Sequence, residues 1–215
     1  MSKKLIYVIL FYALGFNTFA QRATQYLSPV PSPQSFVSQN VGMTKITVSY
    51  SSPGMKGRKI FGELVPYGKE WRAGANSPTM LSFSTDVSVA GKTMRAGKYV
   101  VRMIPNKEGN WIVKLNLTNL EDRPPRLWKE GAVGFPYDYY KDGKVDMKKY
   151  KEDMSHSFEV EPFSWEAGIE RLFYRIDPND NKVAIVSMLW ENIIIRFEVD
   201  TMTDEHLKRF AKTLE

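Results

Sequence analysis

Hydrophobic and polar residues alternate along much of the chain, and this pattern predicts antiparallel β-strands. The clearest case is Ser35–Val41 followed by Thr44–Ser51, which are joined across Val41-Gly42-Met43. In the second segment every other residue is apolar, so that one face of the strand is apolar and the other polar. Period-two alternation on both sides of a short turn containing glycine predicts a β-hairpin.

The same alternation predicts a β-meander in the middle of the chain. Apolar residues keep one parity through Leu81–Val89, and two further strands are predicted at Tyr99–Ile104 and Trp111–Leu117. Short glycine-containing segments at 90–92 and 95–97 separate these runs. Pro105 ends one of the strands, because proline cannot donate to a strand ladder.

Strand patterns return in the last third of the chain. Alternation resumes at His156–Val160 and again at Leu172–Ile176. Two later runs, Val183–Trp190 and Ile193–Val199, are predicted to pair as a hairpin around Glu191-Asn192.

One amphipathic helix is predicted, and it ends the chain. Thr203 is a suitable N-cap, and the apolar residues that follow fall at i, i+3, i+4 and i+7: Leu207, Phe210, Ala211 and Leu214. The predicted solvent face carries Lys208, Arg209 and Lys212. Strands do not alternate with helices, so we predict an all-β fold: an antiparallel β-sandwich or partly open barrel of about nine strands with a C-terminal amphipathic helix.

The N-terminal residues have the layout of a secretory signal peptide. Lys3 and Lys4 precede an apolar run at Leu5–Phe16, and small residues stand at Thr18 and Ala20. This layout predicts a signal peptide over residues 1–20 with cleavage near Ala20. The run is shorter than the roughly 20 apolar residues that span a bilayer, so no transmembrane segment is expected after cleavage. We therefore expect an exported protein, periplasmic or extracellular.

Composition divides the rest of the chain into a linker and one domain. Residues 21–34 contain three prolines and are predicted to be a linker, while residues 35–215 form a single domain. Within it, residues 119–153 are rich in charge, Gly, Pro and Tyr and are predicted to be an irregular insertion. The net charge is +6, falling to +4 without Lys3 and Lys4. This mild excess favours anionic surfaces weakly and argues against nucleic acid as a partner.

No segment carries the full ligand set of a metal site. Asp138, Asp142 and Asp146 match three positions of a calcium-loop template, but Lys149 stands where that template needs a bidentate glutamate. The chain has two histidines and no cysteine, which argues against zinc and rules out disulfides and thiolate chemistry. We predict no metal and no cofactor.

Catalytic motifs are also missing. His156 shares the parity of Phe158 and is predicted to be a core or sheet-face histidine with a satisfied ring, while His206 is predicted to be solvated. No Gly-x-Ser-x-Gly elbow is present, and nothing in the sequence brings Glu63 and Glu70 together as an acid–base pair. The sequence favours a non-enzymatic protein. The alternative is a hydrolase or lyase of envelope polymers that uses carboxylates or a Tyr/Lys pair.

The connection at Ser52–Asn76 is the candidate functional segment. Loops without secondary structure are uncommon above about 12–15 residues, and this connection is longer. It also carries too many apolar residues for disorder. We predict an ordered loop, pinned across a sheet, with a short helical turn at Ile60–Val65. Its candidate binding residues are Arg58, Lys59, Tyr67, Trp71, Arg72 and Asn76.

These residue types suit recognition of a glycan, a peptide or an envelope protein. Arginine donates paired hydrogen bonds to carboxylates, and tryptophan offers a flat apolar face. A structural interpretation is equally specific. Trp71 would fill the open end of the sandwich, Arg72 would donate to loop carbonyls, and the domain would then be purely structural.

The segments around this loop follow a family pattern. The matching text, which extends from about 29 to 117, is Ser38–Thr44, Ile46–Tyr50, Lys56–Gly62, Leu64–Gly68, Trp71-Arg72, Gly74-Ala75-Asn76, Ala96–Tyr99 and Ile104-Pro105. In these positions the chain resembles domain of unknown function family 2911, a family of secreted bacterial proteins. The C-terminal strands match loosely, and residues 119–153 depart from the family text. The resemblance implies an exported β-rich domain and carries no catalytic residues with it.

Overall fold

The structure is a computed structural model, and it describes residues 29–117 and 155–214 together with residues 140, 141, 144, 145, 148 and 152. The predicted signal peptide, most of the predicted linker, the calcium-like template apart from residues 140, 141, 144, 145 and 148, and most of the predicted insertion lie outside the described residues.

Ten strands form a sandwich of two antiparallel sheets. In chain order the strands are β1 (Gln34–Val41), β2 (Thr44–Ser51), β3 (Thr79–Phe83), β4 (Val87–Val89), β5 (Lys92–Met94), β6 (Gly97–Ile104), β7 (Trp111–Leu117), β10 (Ser155–Val160), β11 (Phe163–Asn179) and β12 (Val183–Asp200). The larger sheet has the order β1-β2-β3-β6-β7-β10, and the smaller sheet has the order β11-β12-β4-β5. A separate short pair is formed by β8 (Tyr140–Lys141) and β9 (Lys144–Val145).

The predicted fold class is confirmed. The described residues are mostly strand, and neither of their two sheets closes into a barrel. The β1–β2 hairpin is also confirmed, since Val41 pairs with Thr44 next to the turn and Gln34 pairs with Ser51 at the far end.

The predicted meander is wrong at one point, because β3 and β4 belong to different sheets. Leu81 in β3 pairs with Tyr99 in β6, while Val89 in β4 pairs with Lys92 in β5 and with Val199 in β12. The β4–β5 hairpin thus belongs to the smaller sheet, although β3 before it and β6 after it belong to the larger sheet. The sequence hides this crossing, since both strands direct their apolar residues toward the same core and so keep the same alternation.

The predicted hairpin around Glu191-Asn192 is also wrong, because β12 continues through it as a single strand. Glu191 has a φ of 55°, and the pairing with β11 shifts register around Ile169 and Glu191. The buried residues change parity across this point, from Trp190 before it to Ile195 after it. An extra residue in a strand produces such a parity change, which the sequence pattern alone does not distinguish from a turn.

The two sheets and the 52–76 loop enclose one hydrophobic core. Its fully buried large side chains include Trp111 from the larger sheet, Trp190 from the smaller sheet and Ile60 from the loop. Tyr174 in β11 is also buried, and its hydroxyl donates a 2.7 Å hydrogen bond to the carbonyl oxygen of Ala73 at the end of the loop. The loop is therefore part of the core and not an addition to it.

The C-terminal helix α1 spans Thr203–Lys212. Its N-cap is Met202, with a φ of 50° and no side-chain capping bond, so the prediction of Thr203 as the cap is wrong. None of the helix residues is buried, and Leu207 and Phe210 are 51% and 58% exposed. The apolar side chains are therefore largely exposed, and Arg209 from the predicted solvent face lies 3.8 Å from the carboxylate of Asp86. Within the described residues, no helix has the length and apolar character that crossing a membrane requires.

Candidate functional site

The 52–76 loop joins the larger sheet near its C-terminal end. Trp71 forms an isolated antiparallel bridge with Met103 in β6, with backbone N–O distances of 2.7 and 2.9 Å. The backbone N–H of Gly68 donates a 2.7 Å hydrogen bond to the carbonyl of Pro105. These bonds continue the hydrogen bonding of β6 beyond its last pair with β3, Thr79 with Val101, so this half of the loop is bonded to the larger sheet.

The first half of the loop joins the smaller sheet. Met55 N donates to the carbonyl of Glu170 at 2.8 Å, and Leu172 N donates to the carbonyl of Pro53 at 3.0 Å. The hydroxyl of Ser52 donates to the carbonyl of Leu172 at 2.7 Å. The loop therefore crosses from one sheet of the sandwich to the other, as the prediction of a pinned, ordered loop required.

The middle of the loop is anchored by one carboxylate. Glu191 in β12 accepts backbone hydrogen bonds from Ile60 at 2.8 Å and from Phe61 at 3.3 Å. Residues Ile60–Val65 form turns instead of the predicted helical turn, with Val65 N donating to the carbonyl of Ile60 at 2.9 Å. The backbone N–H groups of Ile60 and Phe61 donate to the Glu191 side chain, so they do not need helical hydrogen bonds.

An aromatic cluster fills the space beneath the loop. Phe61 packs edge-on against Trp71, Trp111 and Trp190, with ring centroids 4.8–6.0 Å apart. Trp71 stacks on Trp190 at 5.8 Å with an interplanar angle of 23°, and its Nε1 donates to the carbonyl of Gly74. Trp71 is half-buried, and its indole closes this side of the core.

The two predicted arginines donate to the loop's own carbonyls. The guanidinium of Arg58 bonds the carbonyl oxygens of Met55 at 2.9 Å and Gly54 at 2.8 Å. The guanidinium of Arg72 bonds the carbonyl oxygen of Asn76 at 2.9 Å. Both side chains thus stabilise turns of the backbone that carries them.

The other predicted residues are dispersed over the loop. Asn76 donates its amide to the carbonyl of Ser32 at 3.1 Å, which ties down the end of the predicted linker. Tyr67 is 38% exposed, and its ring covers Gly62, while Lys59 is exposed. None of the six predicted residues lines either of the two cavities described next.

The larger cavity, here called the β10–β12 groove, has a volume of 630 Å³. It lies where β10, the edge strand of the larger sheet, passes β12 and the turn between β4 and β5. Its lining residues are Ser88, Ala90, Gly91, Phe158, Glu159, Val160, Glu161, Phe163, Ile185, Arg196, Phe197, Glu198 and Asp200.

The groove combines an apolar interior with acidic side chains. Phe158 packs edge-on against Phe197 at 5.3 Å, and both line the cavity. Arg196 lies with its guanidinium carbon 4.0 Å above the ring centre of Phe163. Four carboxylates line the same cavity, from Glu159, Glu161, Glu198 and Asp200. The local charge is therefore negative, with Arg196 the one cation among the lining residues.

Sequence reasoning did not find this groove. Arg196, Glu198 and Asp200 occupy alternate positions of β12 and therefore share a face, which the sequence pattern does show. What it does not show is that the β10 residues Glu159 and Phe158 meet them, because that contact depends on how the two sheets are stacked. These residues come together where the chain crosses from the larger sheet to the smaller sheet, between β10 and β11.

The smaller cavity has a volume of 360 Å³ and a polar lining that includes Lys92, Asn116 and His156. The Nε2 atom of His156 is buried and has no hydrogen-bond partner among the described residues, so the predicted satisfied ring is wrong for this nitrogen. Burial lowers the pKa of His156, the nearby charge of Lys92 lowers it further, and the backbone of Val89 opposes both effects. The pKa of His156 is therefore lowered from its ordinary value.

Two side chains of the types that acid–base chemistry could use, Glu70 and Tyr174, take part in other contacts. Glu70 forms ion pairs with Arg102 at 3.4 Å and with Lys114 at 2.8 Å. Burial raises the pKa of Tyr174 well above its usual range, which keeps its proton in place. Among the described residues, no group of three or more His, Asp or Glu side chains is placed to hold a metal ion.

His206 differs from its prediction as a solvated residue. It is half-buried, and its Nε2 lies 2.8 Å from the carbonyl oxygen of Asp86. The ring therefore attaches α1 to the start of β4.

The fold and the groove define an antiparallel β-sandwich protein with a surface cavity where its two sheets meet. The chain belongs to the family described as protein of unknown function (DUF2911), whose family model matches residues 32–199. This match confirms the resemblance seen in the sequence. It extends from just before β1 into the last residues of β12 and leaves α1 outside. No curated protein and no solved structure matches the chain.

Proposed function

We propose that the protein is an exported, non-enzymatic binding module and that its ligand occupies the β10–β12 groove. The observation that carries this proposal is the groove itself. Its volume of 630 Å³ lies within the roughly 300–1,000 Å³ typical of ligand sites, and its lining combines apolar residues with almost as many polar and charged ones. Export is supported by the signal-peptide layout of residues 1–20.

The chemistry of the groove favours a cationic ligand with apolar or aromatic side chains. Glu159, Glu161, Glu198 and Asp200 would attract Lys or Arg side chains, and like-charged ligands would be repelled. The position of Arg196 over Phe163 is within the range of a cation–π contact, so the aromatic ring already accommodates a cation. A basic peptide segment of an envelope protein has the required chemistry.

The 52–76 loop has a supporting role in this proposal. Its arginines bind loop carbonyls, and Trp71 and Phe61 belong to the aromatic cluster of the core. In the groove, Asp200 accepts a 2.8 Å hydrogen bond from the backbone N–H of Met202, and Glu159 accepts one of 3.1 Å from the Asn110 side chain. Glu161 and Glu198 are the groove acids that have no hydrogen bond among the described residues. The binding surface and the most distinctive sequence segment are therefore different parts of the molecule.

A peptide selection tests this function. A library of end-blocked pentapeptides is panned on the folded protein, and enriched peptides are titrated by calorimetry. We expect enrichment of Lys or Arg together with an aromatic residue. The double variant Glu198→Gln and Asp200→Asn should bind the enriched peptides about tenfold or more weakly, since exposed ion pairs contribute up to about 1 kcal/mol each.

The matched control is Glu108→Gln, an exposed acid in the β6–β7 turn that lies outside the groove. It should leave the affinity unchanged. Absence of any enrichment, or equal affinity for the groove variant and the wild type, would overturn the proposal. Preferential binding of neutral oligosaccharides that is insensitive to Glu198 would overturn the cationic ligand, and turnover of a polymer substrate would overturn the non-enzymatic assignment.

A further inference from the structure

Helix α1 and the residues just after it expose a row of large apolar side chains. Leu207, Phe210 and Leu214 are 51%, 58% and 75% exposed, and they follow one another at spacings of three and four residues. Such spacing aligns side chains along one face of a helix. We call these three residues the α1 stripe.

Polar contacts attach the helix to the domain and leave the α1 stripe largely exposed. His206 Nε2 lies 2.8 Å from the carbonyl oxygen of Asp86, and Arg209 lies 3.8 Å from the carboxylate of the same residue. Near the N-terminus of the helix, Lys182 pairs with Asp204 at 2.8 Å. Because the helix is attached by these groups and by its first turn, exposure of the stripe is a property of the fold.

The polar face opposite the α1 stripe is basic. The last two turns of the helix carry Lys208, Arg209 and Lys212, while the acids Asp204 and Glu205 lie in the first turn. At 100° per residue, both lysines fall on the side of the helix opposite the stripe. A helix with large apolar residues on one face and Lys or Arg on the other is typical of binding in the plane of a membrane surface.

The size of the surface distinguishes between possible occupants. A stable interface with a second protein copy involves about 20–30 residues on each side. The helix has ten residues, and the exposed stripe consists of Leu207 and Phe210 within it and Leu214 just after its end. A lipid surface requires no matching protein area, because each side chain can enter the headgroup region separately. A helix of this length cannot span the bilayer, which needs about 20 residues.

We propose that α1 binds the surface of an anionic lipid bilayer, with the α1 stripe inserted among the headgroups and with Lys208 and Lys212 on the opposite, polar face adding electrostatic attraction to the negative surface potential. The β10–β12 groove would then be held near a membrane. This inference is independent of the ligand proposed for the groove.

Vesicle sedimentation tests the proposal. The chain is used from Gln21 onward, which removes the apolar run at Leu5–Phe16 and keeps every strand and helix of the fold. It is mixed with vesicles of phosphatidylcholine alone or with 30% phosphatidylglycerol, and the bound fraction is measured at two salt concentrations. We expect binding to the anionic vesicles that weakens as salt increases.

Two pairs of variants locate the binding surface. Phe210→Ser should reduce the partition coefficient at least about tenfold, whereas Phe36→Ser, at a residue 79% exposed in β1, should leave it unchanged. Lys208→Glu together with Lys212→Glu should abolish the preference for anionic vesicles, whereas Lys107→Glu should preserve it. Melting temperatures of all variants are compared to confirm that they are folded.

Each other outcome contradicts the proposal. Sedimentation with neither kind of vesicle would overturn it, and so would equal losses for Phe210→Ser and Phe36→Ser. A concentration-dependent dimer that Phe210→Ser abolishes, in place of vesicle binding, would assign the α1 stripe to a second copy of the chain.

Discussion

The backbone N–H of Ile60 donates a 2.8 Å hydrogen bond to the carboxylate of Glu191, which lies 131 residues further along the chain. The same carboxylate accepts a second bond from Phe61. Through this side chain, β12 of the smaller sheet holds the middle of a loop whose end is bonded to β6 of the larger sheet. The long-range contact explains why the 52–76 loop is ordered without regular secondary structure.

Glu191→Ala should destabilise the protein, because it leaves two loop amides without their acceptor. Unsatisfied partly buried donors cost about 1–3 kcal/mol, so we expect the melting temperature to fall by about 2–10 °C. Glu191→Gln keeps one acceptor oxygen and should lose less. Thermal unfolding followed by circular dichroism measures both variants. An unchanged melting temperature for Glu191→Ala would show that the carboxylate does not hold the loop.

Trp71→Ala and Arg72→Ala should differ strongly although the residues are adjacent. Trp71 stacks on Trp190 within the core, and its truncation should cost about 3 kcal/mol or more. Arg72 is exposed and bonds one carbonyl of its own turn, so its loss should cost about 0.5 kcal/mol or less. Urea unfolding gives both free energies. If Arg72→Ala left stability unchanged but abolished peptide binding, the loop and not the groove would be the binding site.

Gly42→Ala should be far more damaging than Gly57→Ala. Both glycines have positive φ, 54° and 72°, so alanine is strained at either position. At Gly42 the added Cβ would overlap the hydroxyl of Thr203 and lie 2.7 Å from the carbonyl of Asn181, whereas nothing lies within 4 Å at Gly57.

The comparison of these two glycine variants isolates the packing of the β1–β2 turn against α1. We expect Gly57→Ala to cost about 1 kcal/mol and Gly42→Ala at least about 1 kcal/mol more in chemical unfolding. Equal costs would mean that the start of α1 is not packed against this turn.

Stability should decrease as the pH falls below about 6.5, and His156 should account for part of that decrease. Its pKa is lowered from the ordinary value of 6.5, chiefly by burial and also by Lys92. The unfolded chain therefore takes up a proton first as the pH falls, and protonation favours the unfolded state between the two pKa values. Above pH 6.5 both states are neutral and this effect is absent.

Urea unfolding between pH 5.0 and 7.5 measures the contribution of His156. The slope of unfolding free energy against pH should be smaller for His156→Gln than for the wild type, whatever the absolute stability of the variant. Identical slopes would show that the ring is solvated and titrates normally in the folded protein.

The sequence predicted those features that depend on local pattern. The β1–β2 hairpin follows from alternation on either side of Gly42, and the helix at Thr203–Lys212 follows from its apolar spacing. The same alternation failed at Glu191, where one extra residue inside β12 has the appearance of a turn between two strands. Local patterns specify strands reliably, but a bulge and a turn produce the same change of parity.

The candidate site was harder to predict for a related reason. Arg58 and Arg72 are conspicuous in the sequence, but only the folded chain shows that their donors bind nearby carbonyls. Glu159 and Glu198 look like ordinary exposed strand residues, since 39 positions separate them and nothing local links them. They line one cavity because the edge of the larger sheet passes β12, a contact set by the stacking of whole sheets.

Amide chemical-shift mapping tests the central claim most directly. The isotope-labelled protein is titrated with the most enriched pentapeptide, and the shift of every backbone amide is followed. We predict that the largest changes fall in β10, in the second half of β12 and at Ala90 and Gly91, with the 52–76 loop unchanged. Changes concentrated in residues 52–76, with the groove residues unmoved, would contradict the assignment of binding to the groove.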